Sequence, residues 1–183
     1  GLALSARAMY VADTDNSRLQ VWDRQGGFLW EWRGDNGGLN RPRAVVALPD
    51  GGAWVVDSGN HRLARVIPRG GEVATWAKQG GEGFGGARAL IGGPDGNLYS
   101  LDEAGSRVQV QSPAGELLRA WGTAGSGPGQ FGAAQGLAVL PDGRVFVAWE
   151  ERPLELALVV RSDDGGSTFT TPVPLAPGSP YLS

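Results

Sequence analysis

Several residue types that often mark function are absent or scarce in this chain of 183 residues. There is no cysteine, which excludes disulfides, thiol nucleophiles and thiolate metal ligands. His61 is the one histidine, so a metal site within the chain would rest on scattered carboxylates, and none is predicted. No apolar run reaches the length of about 18 residues that a membrane-spanning helix needs. The sequence predicts no cofactor, no metal and no membrane insertion.

The chain also has only a small excess of charge of one sign. The formal net charge is −3, with 16 Lys and Arg against 19 Asp and Glu. No segment carries the dense positive stripe that binding to a phosphate backbone requires, so nucleic acid is not an expected partner.

Glycine and apolar residues, in contrast, are abundant. The chain has 31 Gly, 12 Pro and 7 Trp, and 41% of its residues are hydrophobic. The Gly and Pro residues fall at regular intervals between apolar runs. This pattern indicates turns in an ordered domain and argues against disorder.

One six-residue segment recurs and organises the chain. Asp57-Ser58-Gly59-Asn60-His61-Arg62 lies between two apolar runs and has turn-forming residues at its centre, which predicts a tight turn between two strands. The same positions recur 44 residues earlier, from Asp13 to Arg18, and in altered form 45 residues later, from Asp102 to Arg107. A period in the forties with one hairpin per repeat predicts a β-propeller or a solenoid.

Three further markers recur with this period. Pro-Asp-Gly follows an apolar run at 49–51, 94–96 and 141–143 and predicts a hairpin turn. A glycine precedes a tryptophan by six residues, and a Gly-rich connector with one apolar residue follows: Gly26, Trp32 and Leu39; Gly70, Trp76 and Phe84; Gly115, Trp121 and Phe131. Each repeat is thus predicted to hold four short strands, A to D, and each of these Trp residues to pack between neighbouring sheets.

The predicted fold is all-β: one β-propeller segment of four four-stranded antiparallel blades over 1–183. The blades are expected at about 1–43, 44–87, 88–134 and 135–183. A four-stranded meander cannot bury both of its faces alone, whereas stacking such sheets around an axis does so.

The first three repeats, about 1–134, resemble the NHL repeat family. The resemblance rests on the run from Val11 to Val21, on the run from Asp57 to Leu63, and on the connector Gly-Pro-Gly-Gln-Phe at 127–131. It implies a ring of about six blades, of which this chain would be part. Open blade edges would then favour self-association.

The fourth repeat departs from this pattern, with Trp149 at the position of the recurring Asp. Its segment from 162 to 169 resembles the Asp box (BNR repeat) of sialidase-like blades, through Ser162, Asp164, Gly166, Thr168 and Phe169. The resemblance implies that Asp164 and Thr168 hold the turn and that Phe169 packs beneath it. Together the two resemblances favour an extracytoplasmic location, bacterial secreted or periplasmic, while the composition leaves the compartment open.

The recurring charged residues have two interpretations. They could form a ring of ligand-binding charges, or each could serve its own turn, with the carboxylate binding turn amides and the arginine bridging to a neighbour. The structural interpretation is favoured because the set recurs in each of the first three repeats: Asp13, Arg18, Asp57, Arg62, Asp102 and Arg107.

No catalytic residue is predicted. Ser58, His61 and Asp57 supply the residue types of a catalytic triad, but neighbours in one tight turn rarely reach that geometry. Glu150 and Glu151 suggest a paired-carboxylate glycosidase, but adjacent strand residues point to opposite faces of a sheet.

The candidate ligand site lies at the end of the sheets that carries the B–C turns and the D–A connectors. These loops are long and varied, and recognition is usually built on variable loops over a rigid frame. The candidate ligand-binding residues at this end are Asn16, Ser17, Arg41, Asn60 and His61.

The function predicted from the sequence is a non-catalytic binding or interaction module for a protein or carbohydrate ligand. The alternative is part of an extracytoplasmic sialidase-like or lyase-like propeller enzyme, with active residues partly outside this segment. A structural spacer is the third interpretation.

Overall fold

The computed structural model describes residues 1–34, 38–69, 72–76, 78–79, 82–83, 87–102, 106–125, 127–151 and 156–174. The chain divides into two compact units, Gly1–Leu90 and Ile91–Ser183, which are called unit 1 and unit 2 below. Gly70, Phe84, the residues 103–105 of the third turn, and Leu175 with the segment after it lie outside the described residues.

Unit 1 holds two four-stranded sheets in which each strand pairs with its neighbours in chain order. Sheet 1 consists of β1 (Leu2–Leu4), β2 (Ala8–Asp13), β3 (Arg18–Asp23) and β4 (Phe28–Trp32). Sheet 2 consists of β5 (Pro42–Ala47), β6 (Ala53–Asp57), β7 (Arg62–Val66) and β8 (Glu72–Trp76). A small antiparallel pair follows, β9 (Lys78–Gln79) with β10 (Glu82–Gly83).

Unit 2 contains the other two four-stranded sheets, except that the first strand of sheet 3 begins in unit 1. Sheet 3 consists of β11 (Ala87–Gly92), β12 (Leu98–Asp102), β13 (Val108–Gln111) and β14 (Leu117–Trp121). A short parallel pair, β15 (Thr123–Ala124) with β16 (Gln130–Phe131), leads to the last sheet. Sheet 4 consists of β17 (Gly136–Val139), β18 (Val145–Glu151), β19 (Leu156–Ser162) and β20 (Val173–Pro174).

This arrangement confirms the predicted all-β fold with four strands per repeat. Helical structure in the described part of the chain is confined to a single 3₁₀ turn at Ser58–Asn60. The Pro-Asp-Gly turns are confirmed as well: Gly51, Gly96 and Gly143 have φ values of 84°, 76° and 86°. The amide of each donates to the carbonyl three residues back, which closes the A–B hairpin.

The two faces of a sheet have different partners, and they are named here by sheet 1. Its front face carries Tyr10 and Val21, and its back face carries Met9 and Val11. In unit 1 the front face of sheet 1 packs on the back face of sheet 2, where Val45, Ala53, Val55, Ala64 and Val66 lie. In unit 2 the front face of sheet 3 packs on the back face of sheet 4 in the same way, through Tyr99, Val110 and Trp121 against Leu137, Val139 and Val145.

The repeated tryptophans occupy equivalent positions, as predicted. Trp32, Trp76 and Trp121 each end the fourth strand of their sheet and pair in register with Leu19, Leu63 and Val108. Trp32 belongs to the core between sheets 1 and 2, and Trp121 packs on the core between sheets 3 and 4. The period of the sequence therefore sets both the strand register and the sheet-to-sheet contact.

Candidate functional site

The turn between β6 and β7 is held by one fully buried carboxylate. Asp57 accepts hydrogen bonds from the Asn40 amide at 2.6 Å, Asn60 Nδ2 at 2.8 Å and Arg62 Nε at 2.6 Å. The Arg62 guanidinium also donates to the Gly38 carbonyl at 3.2 Å. The carboxylate thus joins its own turn to the connector that leads in from sheet 1.

The equivalent turn of sheet 1 is built alike but is more open. Asp13 accepts from Arg18 Nε at 2.7 Å and from Asn16 Nδ2 at 3.0 Å. Arg18 also pairs with Glu31 at 2.8 Å. Hydrogen bonds from Arg18 lower the pKa of Asp13 and of Glu31, so both carboxylates stay charged. In the third repeat, Asp102 accepts from the Ser106 amide at 3.1 Å, and the Asp102 amide donates to the Arg107 carbonyl.

These contacts hold the recurring Asp and Arg side chains of the first two repeats to each other and to their own turns. They also assign part of the candidate ligand set to the scaffold, because the amide groups of Asn16 and Asn60 donate to the turn carboxylates. Asn60 Nδ2 donates in addition to the Gly38 carbonyl at 2.8 Å.

The B–C turns and the connector between sheets 1 and 2 meet at one end of unit 1. The Gly59 amide donates to the Asn40 carbonyl at 2.8 Å, and Thr14 Oγ1 donates to the Pro42 carbonyl at 2.7 Å. The Arg41 amide donates to Ser17 Oγ at 3.4 Å. We call this end the turn surface and define it by Asn16, Ser17, Arg33, Arg41, Asn60 and His61. All five predicted ligand-binding residues therefore lie close together on it.

Two side chains of the turn surface are exposed and make no polar contact with other described side chains or backbone groups. Neither the Arg41 guanidinium nor the His61 imidazole has a hydrogen bond or ion pair with the described residues. Arg33, in contrast, pairs with Glu31 at 3.0 Å and donates to the Asn16 carbonyl at 3.2 Å. Sequence reasoning missed Arg33, for which the repeat pattern gave no signal.

The backbone of the turn surface adopts an uncommon conformation. Ser17, Arg41 and His61 have φ values of 50°, 51° and 51°, in the left-handed region that favours glycine. Ser17 and His61 stand at the same position of successive repeats. The turn geometry therefore recurs in the two repeats, with a serine side chain at this position in the first and a histidine side chain in the second.

The segment from Ser162 to Phe169, between β19 and β20, forms a closed turn around Asp164. The Asp164 carboxylate accepts from the Thr168 amide at 2.8 Å, from Thr168 Oγ1 at 2.7 Å and from Ser162 Oγ at 2.8 Å. Ser162 Oγ in turn accepts from the Gly166 amide at 2.6 Å. Phe169 packs on the rings of Trp121 and Phe131, with centroid distances of 5.9 and 5.6 Å. All five residues singled out in this segment thus contribute to the turn or to its packing.

This turn predicts a pH-dependent contribution to stability. Hydrogen bonds from Thr168, its amide foremost, and from Ser162 lower the pKa of Asp164 well below its ordinary value of 3.8. A carboxyl whose pKa is lower in the folded state stabilises the fold above its ordinary pKa, and that contribution is lost as the pH falls through the folded value. Asp164→Asn is expected to lower the melting temperature at neutral pH, with a difference from wild type that shrinks below about pH 4.

The control for this prediction is Asp163→Asn, in an exposed carboxylate that pairs with Arg161 at 2.9 Å. Exposed ion pairs contribute little to stability, so this variant should melt like wild type. Thermal melts at several pH values measure both. Equal shifts for the two variants would show that the turn hydrogen bonds at Asp164 do not matter.

A cavity of about 410 Å³ opens at the other end of unit 1, between the A–B turns of sheets 1 and 2. Tyr10 Oη reaches across it and donates to the Gly51 carbonyl at 2.7 Å. Sequence reasoning missed this cavity. Its one signal was the replacement of Pro-Asp-Gly by Ser5-Ala6-Arg7 in the first repeat. The lining residues are Ser5, Ala6, Arg7, Tyr10, Leu48, Pro49, Asp50 and Gly51.

Unit 2 has a smaller and more open depression of about 210 Å³ beside Trp149 and Glu150. Among the described residues, no three His, Asp or Glu side chains are grouped so that they could hold a metal ion. No helix in the same residues is long and apolar enough to cross a membrane.

Comparison with known proteins supports the repeat assignment. The NHL repeat model matches residues 39–65, which contain the Asp57 turn. No curated protein sequence matches the chain. The matched residues do not include the segment from 162 to 169.

Solved structures match almost the whole chain at low sequence identity. The Kuenenia stuttgartiensis hydrazine synthase has a TM-score of 0.75 at 15% identity, over 95% of this chain and 48% of that one. Catalytically inactive H270A virginiamycin B lyase from Staphylococcus aureus, solved with quinupristin, has a TM-score of 0.68 at 14% identity, over 93% and 54%. YCF48 bound to D1 peptide has a TM-score of 0.64 at 14% identity, over 94% and 52%.

These structures and the four sheets decide the fold. The chain is a β-propeller segment. It spans about half the length of the solved structures that it matches. At these identities the likeness concerns the fold alone, and the set contains both enzymes and a peptide-bound protein.

Proposed function

We propose that this propeller segment is a non-catalytic interaction module that binds a protein ligand at the turn surface. The observation that carries the proposal is that the side chains of Arg41 and His61 are exposed and have no partner among the described residues, on turns held by the hydrogen bonds of Asp57 and Asn60. The hydrogen bonds of Asp57 and Asn60 fix the backbone on either side of these two residues. A rigid frame of this kind lowers the entropy lost on binding.

The guanidinium of Arg41, which has no partner in the part of the chain that the structure describes, indicates the chemistry of the ligand. Three carboxylates of these turns already have arginine partners, since Asp13 and Glu31 bind Arg18 and Asp57 binds Arg62. An acidic side chain on the ligand would give Arg41 a charge-assisted, bidentate partner. We therefore infer that the ligand is a protein segment with an exposed Asp or Glu.

The backbone conformation supports a functional role for the side chains of Ser17, Arg41 and His61. Residues with a Cβ are disfavoured in the left-handed region by roughly 1–2 kcal/mol, and glycine fits there without that strain. Non-glycine residues in such positions are concentrated at functional sites. The presence of a hydroxyl, a guanidinium and an imidazole at these three positions is explained if the ligand contacts them.

The shape of the turn surface favours a protein over a carbohydrate. Small ligands bind in concave pockets, and the cavity described in unit 1 lies at the opposite end of the sheets. A protein ligand needs no pocket and can lie across loops. The peptide in the YCF48 structure shows that a protein of similar fold accommodates one.

We further propose that the turn at 162–169 is an Asp box of the sialidase-like type and that it serves folding. Its carboxylate and hydroxyl groups bond within the turn, and Phe169 packs on Trp121 and Phe131. The polar groups named here therefore act in holding the turn together.

The binding proposal is tested by peptide display. A random peptide library is selected on the immobilised protein, and the enriched peptides are measured against variants. Arg41→Glu should abolish their binding, because it replaces the attraction by repulsion of the acidic residue. Arg7→Glu is the matched control, because Arg7 is exposed at the opposite end of unit 1 and its guanidinium has no partner among the described residues, and it should bind like wild type.

A second variant separates binding from folding. His61→Gly relieves the left-handed strain and removes the imidazole, so it should melt at or above the wild-type temperature while it binds the selected peptides more weakly. Equal loss of binding in Arg41→Glu and Arg7→Glu would contradict the assignment to the turn surface. Binding only to a glycan array, with no peptide enriched, would instead support the carbohydrate alternative.

A further inference from the structure

The cavity at the A–B turns of unit 1 has a different sequence on each of its two walls. Sheet 2 supplies the recurring Pro-Asp-Gly turn, whereas sheet 1 has Ser5-Ala6-Arg7 at the same positions. Arg7 therefore stands where the other three repeats have a glycine of positive φ. Its side chain lines the cavity, so the first repeat brings a positive charge to a position that is glycine elsewhere.

Hydrogen bonds hold both walls of this cavity in place. On sheet 1, Ser5 Oγ accepts from the Ala8 amide at 2.9 Å. On sheet 2, the Gly51 amide donates to the Leu48 carbonyl at 3.0 Å. Tyr10 Oη joins the two walls through the Gly51 carbonyl at 2.7 Å. The protein itself thus fixes the shape of the cavity, and a preorganised site loses less entropy on binding.

Two carboxylates at this end of unit 1 already have partners. Asp50, which lines the cavity, pairs with Arg65 at 2.6 Å. Asp23, in the turn between β3 and β4, accepts from the amides of Gln25 and Gly27 at 2.9 and 2.7 Å. Neither carboxylate therefore depends on a further cation.

The arginines at the turn of sheet 1 leave positive charge available to a ligand. The Arg7 guanidinium is exposed and has no hydrogen bond or ion pair with the described residues. The Arg24 guanidinium donates to the Ser5 carbonyl at 3.1 Å and adds a second positive charge at the same turn. The cavity is therefore suited to an anion.

The remaining lining and the size of the cavity indicate what kind of anion fits. Ala6, Leu48 and Pro49 supply apolar surface beside the charge of Arg7. The volume of about 410 Å³ lies within the range of roughly 300–1,000 Å³ that is typical of small-molecule sites. A guanidinium binds a carboxylate through two parallel hydrogen bonds.

We propose that this cavity is a second binding site, and that it takes a small organic carboxylate. The carboxylate binds Arg7, and the apolar part of the molecule lies against Ala6, Leu48 and Pro49. The site is at the opposite end of the sheets from the turn surface, so it does not rest on the protein ligand proposed above. Its walls belong to two successive sheets of unit 1.

The test is titration of the isotope-labelled protein with small aromatic and aliphatic carboxylates, followed by the amide shifts in nuclear magnetic resonance spectra. The set includes phenylacetate, with phenylacetamide as its neutral match and phenethylammonium as a cation. Phenylacetate should shift the amides of Ala6, Arg7 and Gly51. It should bind at least about tenfold more tightly than phenylacetamide, because only the carboxylate forms charge-assisted hydrogen bonds with the guanidinium.

Two charge variants should change this affinity in opposite directions. Arg7→Gln removes the guanidinium and should weaken phenylacetate binding by about tenfold or more. Asp50→Asn removes the negative charge from the lining and should strengthen it, while the amide oxygen can still accept from the Gly52 amide. Arg144→Gln is the matched control, an arginine of the A–B turn of sheet 4 that pairs with Asp142, and it should bind like wild type.

A variant that fills the cavity tests the place of binding. Ala6 is exposed in its turn, so Ala6→Trp should melt like wild type while its indole occupies the space and abolishes binding. Carboxylate binding that survives in Ala6→Trp would overturn the proposal, as would equal weakening by Arg7→Gln and Arg144→Gln. Failure of every carboxylate in the set to bind, or tighter binding of phenethylammonium than of phenylacetate, would overturn it as well.

Discussion

Replacing Asp57 by alanine should lower the free energy of unfolding by about 3–5 kcal/mol. The Asp57 carboxylate is fully buried and accepts from Arg62 at 2.6 Å, from the Asn40 amide at 2.6 Å and from Asn60 at 2.8 Å. Its removal leaves a largely buried guanidinium without its carboxylate and a backbone donor without its acceptor. Loss of one partner of a buried ion pair is far more damaging than loss of a surface pair.

The matched variant is Asp13→Ala, at the same position of the preceding repeat. Its carboxylate makes the same contacts with Arg18 and Asn16 but remains partly open to water, so a clearly smaller loss is expected. Urea titration followed by tryptophan fluorescence measures both variants. Equal losses, or a loss below about 1 kcal/mol for Asp57→Ala, would contradict the structural role of the buried carboxylate.

The second large effect is expected in unit 2, from Phe131→Ala. Phe131 is fully buried, and its ring lies 6.0 Å from that of Trp149 and 5.6 Å from that of Phe169. Truncation of a buried phenylalanine leaves a cavity and typically costs about 3–5 kcal/mol. Because Phe169 closes the turn around Asp164, the loss should also loosen that turn.

Hydrogen exchange resolves this effect along the chain. The amides of sheet 4 and of the 162–169 turn should lose protection in Phe131→Ala, while those of β2 and β3 should keep theirs. Leu118→Ala is the control, since Leu118 is exposed and its truncation should change stability by no more than about 0.5 kcal/mol. A Phe131→Ala protein as stable as this control would show that the aromatic cluster does not hold unit 2 together.

The fold could be predicted largely from the sequence because its signals are local and repeated. Pro-Asp-Gly sets the A–B turns, Gly26 and Gly115 set the turns before β4 and β14, and the strands between the turns follow. The positions of Trp32 and Trp121 followed from their constant distance to those glycines. Each of these local signals is weak alone, but because they recur with one period they predict the strand register together.

The candidate site was predicted less completely, since its details depend on contacts between distant residues. The sequence pattern could not show that the side-chain amides of Asn16 and Asn60 donate to the turn carboxylates. Nor could it show that the Asn40 backbone amide donates to Asp57. Left-handed conformations at Ser17, Arg41 and His61 were hidden as well, because none of these residues is glycine. The cavity beside Tyr10 arises only when two A–B turns of successive repeats come together.

Binding of a protein ligand at the turn surface is tested most directly by nuclear magnetic resonance. Isotope-labelled protein is titrated with the peptide selected by display, and the amide shifts are mapped on the structure. Shifts should concentrate at Ser17, Arg41 and His61, with little change at Ser5, Arg7 and Gly51 around the cavity at the opposite end. Shifts concentrated at the cavity, with the turn surface unchanged, would contradict binding at the turn surface.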